Sequence, residues 1–92
     1  MKATADIQIV VIGEGVSVRD QVEEAVAAIE ASGLEYTVHG WGTNVEGEVR
    51  EVLDLVENLH TALHQKGAVR LNTYLKLGTR TDKDSTLEGK EL

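Results

Sequence analysis

Two stretches of helical periodicity, each entered from and left toward alternating segments, narrow the fold of this chain more than any other feature. After Val18, the apolar residues Val22, Ala25, Val26 and Ile29 recur at helical spacing, and Glu23, Glu24 and Glu30 lie away from them. Val49, Val52, Leu53, Val56, Leu59 and Leu63 form a longer stripe that predicts a helix over 48–66. Ser17 followed by Asp20 approximates a capping box at the first helix start, and Gly33 and Gly67 are natural stops. Between and around these stretches the pattern has a period of two. Residues 6–12, "DIQIVVI", set Ile7, Ile9 and Val11 against Gln8, Val10 and Ile12. "LEYTVH" (34–39) and "TNVEG" (43–47) predict two further strands joined by a hairpin across Gly40 to Gly42, and "AVRLNTYLKL" (68–77) alternates cleanly.

The resulting order is strand, helix, strand, strand, helix, strand. That is the split βαβ pattern of an α+β, ferredoxin-like βαββαβ fold: a four-stranded antiparallel sheet with both helices on one face. The right-handed crossover rule leaves few alternatives. Residues 1–78 form the domain, and 79–92, polar and charge-rich, form a C-terminal tail or a subunit-crossing arm. Strand parity places Gln8, Val10 and Ile12; Glu35, Thr37 and His39; Asn44 and Glu46; and Arg70, Asn72, Tyr74 and Lys76 on the uncovered face. Such a mixture suits a subunit interface or the wall of a small-molecule pocket.

Composition sharpens this. The chain has 92 residues, no Phe, one Trp, two Tyr and one Met, so its core is built from Val, Leu, Ile and Ala. Each such side chain contributes about 1.5–3 kcal/mol or less when buried, and a small domain leaves much of its surface wet. A homo-oligomer, dimer or tetramer, is therefore expected. A net charge of −7 argues against nucleic acid, which needs a basic face. The absence of cysteine excludes disulfides and thiolate metal sites. The apolar run Ile9–Ile12 is too short for a signal peptide's core or a membrane span, so a cytoplasmic protein with no membrane partner is expected.

The stretch most open to a functional reading is "GWGTNVEGEV", residues 40–49. Gly42 and Gly47 permit close approaches, Thr43 offers a donor and an acceptor, and Asn44 offers an amide. Trp41 presents a flat apolar surface for a heterocycle, and Glu46 a charge suited to a cation. Other constellations compete. Glu57, His60 and His64 share a side of the second helix and could form a weak metal site, although "HTALH" lacks the catalytic glutamate of a zincin and a hydrogen-bonded core histidine is the commoner use. Glu14, Glu35, Glu46 and Glu48 include no pair that spacing alone brings together, and His39 beside Glu46 as acid and base depends on hairpin register. "GEG" at 13–15 lacks the third glycine and the lysine of a phosphate loop. No enzyme is expected.

The combination of "GEGVSVRD" after the first strand, "SGLEYTVHGWGT" with "VEGE", and "GAVRLNTYLKL" followed by "RTDK" and "EGK" resembles the small thiamine-binding protein family over nearly the whole chain. The resemblance implies a ferredoxin-like fold, dimers pairing into tetramers, no catalysis and no cofactor, with thiamine or its pyrimidine fragment as bound ligand. Carried over by position, the ligand-binding candidates are Ser17, Gly42, Thr43, Glu46 and Gly47, to which the residues themselves add Trp41 and Asn44. The family commonly has Pro-Met before its Gly-Thr, where this chain has Gly40-Trp41. The function expected is thus a non-catalytic, oligomeric small-molecule binder. The alternatives are a structural or regulatory oligomerisation module, and a metal binder through Glu57, His60 and His64.

Overall fold

The computed structural model describes residues 1–13 and 17–90. Along the chain run β1 (Lys2–Ile12), α1 (Val18–Ser32), β2 (Glu35–His39), β3 (Gly42–Glu48), α2 (Val49–Gln65), β4 (Arg70–Thr79) and a short 3-10 turn at Glu88–Lys90. The strands form one antiparallel sheet in the order β2-β3-β1-β4, the ferredoxin-like arrangement that the periodicities predict. Glu14 and Gly15 of the first turn lie outside the described residues.

β1 is longer than the alternation suggested, starting at Lys2 rather than Asp6. "KATA" carries no Val or Ile and so reads weakly as strand. Pairing overrides that preference, because Ala3 lies opposite Gly47 of β3 and Thr79 of β4, which supply its ladder on both sides. Its small side chains then face the helices. Ala5 and Ile7 pack with Val45 of β3, Val52, Leu55 and Leu59 of α2, and Ile29 of α1. Alanines on the central strand let α2 approach the sheet closely enough for leucines to fill the interior.

Local signals set the helix ends. Ser17 Oγ accepts the Asp20 N–H at 3.1 Å, the N-cap expected from the sequence. At the other end, Gly33 takes φ 73°, a left-handed cap that a side chain would strain. α2 begins with Glu51 accepting the Glu48 N–H at 3.1 Å. It buries Val52, Leu55, Leu59 and Leu63. Leu55, 1% exposed, lies outside the stripe read from the sequence, whereas Val49, Leu53 and Val56 from that stripe are only half-buried. The difference is rotational: the true contact line of α2 lies closer to Leu55, because the sheet and α1 together cover a wider arc than one stripe.

The C-terminal segment, as far as it is described, makes contacts with its own sheet. Ser85, 3% exposed, shares a hydrogen bond with the Thr4 hydroxyl at 3.0 Å. The Leu87 N–H donates to Glu46 Oε1 at 2.8 Å. Thr4 and Glu46 face each other across β1 and β3 on the sheet face away from the helices, so the segment folds back over that end of its own sheet. Two specific polar contacts outweigh its hydrophilic composition. Val10 and Tyr74, toward the other end of the same face, remain exposed.

Replacing Leu55 by Ala is expected to cost about 2–5 kcal/mol, the usual range for a buried leucine, while Leu53→Ala costs clearly less. Urea midpoints of the two variants check the rotation assigned to α2.

Candidate functional site

α1 covers the sheet unevenly. Ile29 near its C-terminal end is buried, whereas Val22, a turn or two after its start, is 52% exposed. The helix therefore stands off the sheet at one end and leaves a cleft of about 290 Å³. Val22, Ala25 and Val26 form one wall, Ile7 and Ile9 of β1 the floor, and Leu59 of α2 the back. The β2–β3 hairpin closes the rim with His39, Gly40, Trp41 and Gly42. Among these apolar groups, Thr43 brings a hydroxyl, and the Gln21 amide, which donates to the Ile9 carbonyl at 3.5 Å, brings a second polar edge. A mostly apolar cleft with few polar groups, near the small end of the usual volume range of about 300–1,000 Å³, is the form of a small-heterocycle site.

The glycines of the hairpin have a definite role. Positive φ occurs at Gly13, Gly33 and Gly67 among the described residues, so Gly40, Gly42 and Gly47 are not there for left-handed turns. Gly42 is there for space, because a Cβ on it would stand 2.4 Å from the Ile7 carbonyl oxygen. At Gly47 the obstruction is the tip of the Leu34 side chain at 2.7 Å, which can move.

The seven candidates from the sequence do not converge. Trp41, Gly42 and Thr43 line the cleft. Asn44 and Glu46 belong to the opposite face of β3, where Asn44 borders a shallow depression with Thr4, Asp6 and Lys76. Glu46 is half-buried there, holding the Leu87 N–H and lying 3.8 Å from the Lys2 ammonium. Gly47 is buried against Leu34, and the Ser17 hydroxyl is used as a helix cap. Sequence reading missed the apolar wall of α1, and Gln21 with it. The only signal was a helical stripe that looked like core.

The competing constellations are likewise resolved in space. His39 bonds Asp6 Oδ1 at 2.9 Å, not Glu46, which pairs with Glu35 across β2 and β3. His60 Nε2 meets the Thr73 hydroxyl, and His64 Nδ1 meets the Ala68 carbonyl at 2.7 Å. Both imidazoles are thus engaged locally, and among the described residues no three His, Asp or Glu side chains gather to hold a metal ion. Arg80 is committed to Asp82 through two contacts of 2.6 Å.

Comparison with known proteins decides the family. A family model described as thiamine-binding protein matches residues 5–91. The chain belongs to the thiamine-binding protein family. Relatives in that group include a UPF0045 protein of Synechocystis sp., 38% identical over 98% of this chain and 74% of its own length. Another is a UPF0045 protein of Eremothecium gossypii, 43% identical over 80% of this chain and 70% of its own. Among solved structures, a domain of unknown function from Bacillus cereus superposes with a TM-score of 0.88 at 27% identity, covering 97% of this chain and 86% of that one. A Thermotoga maritima protein given a provisional role in thiamine biosynthesis or salvage superposes with a TM-score of 0.83 at 30% identity, covering 98% and 95%. No helix among the described residues of this family member is long and apolar enough to cross a membrane.

Two outcomes follow from the geometry. Gly42→Ala forces backbone apart between β1 and β3 and is expected to cost about 1–3 kcal/mol, as overpacking does; Gly47→Ala costs less, and thermal melts compare them. The Glu35 carboxyl is held above its ordinary value, first by a proton shared with Glu46 and then by the repulsion of the Glu46 charge. A raised folded value means that this contribution to stability is present below the unfolded carboxylate value and is lost as pH rises through the folded one. Glu35→Gln is therefore expected to raise the urea midpoint at pH 7 and to lose that advantage near pH 4.

Proposed function

We propose that this protein is a non-catalytic binding protein for thiamine or its aminopyrimidine portion, working as a homo-oligomer. The observation that carries the reading is the cleft of about 290 Å³ beneath Trp41, mostly apolar along α1 and β1, with Thr43, Gln21, Gln8 and His39 as its polar groups. An aminopyrimidine is flat and needs one stacking surface and a few hydrogen-bonding partners at its edge. The Trp41 indole, 80% exposed at the rim, supplies the first, and the Thr43 hydroxyl and Gln21 amide supply the second. The cation of the thiazolium is drawn by the overall charge of −7 rather than by Glu46, which faces away. A thiamine-binding family model and a structural relative assigned provisionally to thiamine biosynthesis or salvage both point to this ligand class. The exposed Val10 and Tyr74 on the opposite face support assembly, which would add to a thin core.

Isothermal titration with thiamine, thiamine phosphate and the isolated aminopyrimidine tests the reading, with tryptophan emission recorded in parallel. Trp41 is the only tryptophan, so binding at the cleft must change its fluorescence. Saturable binding at micromolar concentration, about 8 kcal/mol, is expected. Trp41→Ala should weaken it about tenfold, the upper range for one aromatic stacking contact, and Glu46→Gln should leave it unchanged. Neither heat nor an emission change with any of the three ligands would overturn the proposal.

A further inference from the structure

His39 ends β2 opposite Gly42, and its ring touches two different elements. Nε2 lies 2.9 Å from Asp6 Oδ1 on β1. Nδ1 lies 3.2 Å from the backbone nitrogen of Trp41. A backbone N–H can only donate, so Nδ1 must be the acceptor and carry no proton. The proton of the neutral ring then sits on Nε2, and the Asp6 carboxylate accepts it. Asp6 thereby selects the one tautomer that can hold the Trp41 amide. The link passes over Gly42, where a Cβ would lie 3.4 Å from Asp6 Oδ1.

We propose that Asp6 and His39 are positioning residues for the cleft, acting in series: the carboxylate orients the imidazole, and the imidazole holds the Trp41 backbone so that the indole stands at the rim. This rests on the cleft being the binding site, although the arrangement is present in the protein without ligand. It has a consequence that a merely structural pair lacks. When the ring takes a second proton, Nδ1–H and the Trp41 N–H become two donors facing each other, and that contact is lost. The Asp6 contact survives and strengthens as a charge-assisted bond. Among described residues, the groups around the ring on that face of the sheet are Asp6 and Gln8 on β1, Lys76 opposite Asp6 on β4, Asn44 and Gly42 on β3, and Thr37 on β2. Asp6 is the single anion in that set and Lys76 the single cation, so the response to acid falls on the hairpin tip and leaves the sheet in place.

The test follows emission and anisotropy of Trp41 in the free protein as pH is lowered through the range where imidazoles protonate. The wild-type protein should show one sigmoidal change toward a more mobile indole. His39→Gln should abolish the change, and Asp6→Asn should diminish it, because the imidazole is no longer held in the tautomer and orientation that accept the Trp41 N–H. Across the same range, thiamine affinity of the wild type should fall about fivefold relative to His39→Gln, the worth of one ordinary hydrogen bond. A flat wild-type trace, or one that titrates unchanged in His39→Gln, overturns the proposal. Should His39→Gln fail to fold, an undiminished change in Asp6→Asn overturns it equally. Thiamine binding with a flat trace removes the pair and keeps the cleft. A titrating tryptophan in a protein that binds no thiamine removes the cleft, and the positioning role with it.

Discussion

The structure depends on how closely α2 can lie on the central strand. β1 is hydrogen-bonded on both edges, to β3 and β4, and its helix-facing side chains are small where α2 crosses. A chain without phenylalanine cannot fill a wide interior. It solves this by bringing leucines of α2 against alanine and valine, so that modest side chains still reach native packing density. The same economy leaves too little apolar volume to seat α1 along its whole length. Ile29 is buried and Val22 is not. The cleft is the space left by that shortfall, which ties the candidate site directly to the composition of the core.

The β2–β3 hairpin then divides its chemistry between two environments. Because successive strand residues point to opposite faces, Thr43 looks toward the helices while Asn44 and Glu46 look away. Gly42 lets β3 lie against β1 at the point where the hairpin turns over the cleft. On the helix side the result is an apolar cavity with a tryptophan at its mouth. On the other side, Glu46 serves the chain itself, holding the Leu87 amide and repelling Glu35 across the strand pair. A contiguous run of ten residues thus contributes to a binding surface and to the docking of the C-terminal segment at once.

That segment shows how little composition says about docking when contacts are polar and specific. Residues after Thr79 are hydrophilic, yet Ser85 is almost fully buried against Thr4. Buried hydroxyls are tolerated when each satisfies the other, and here the partners lie 81 positions apart. No local pattern carries that information.

Periodicity determined the element order, the two faces of the sheet and most of the helix ends, because amphipathic spacing, N-caps and left-handed glycines act over a few residues. The family likeness was legible for the same reason, in short motifs around the turns. Only the tertiary structure decided that Leu55 belongs to the core, that β1 begins at Lys2, that His39 meets Asp6 rather than Glu46, and that the candidate ligand residues fall on two sides of the sheet. Each of these depends on strand register or helix rotation, which shift a side chain by several ångströms without altering the local pattern. Register and rotation are set by the best burial of the whole core, a quantity that no stretch of sequence contains by itself.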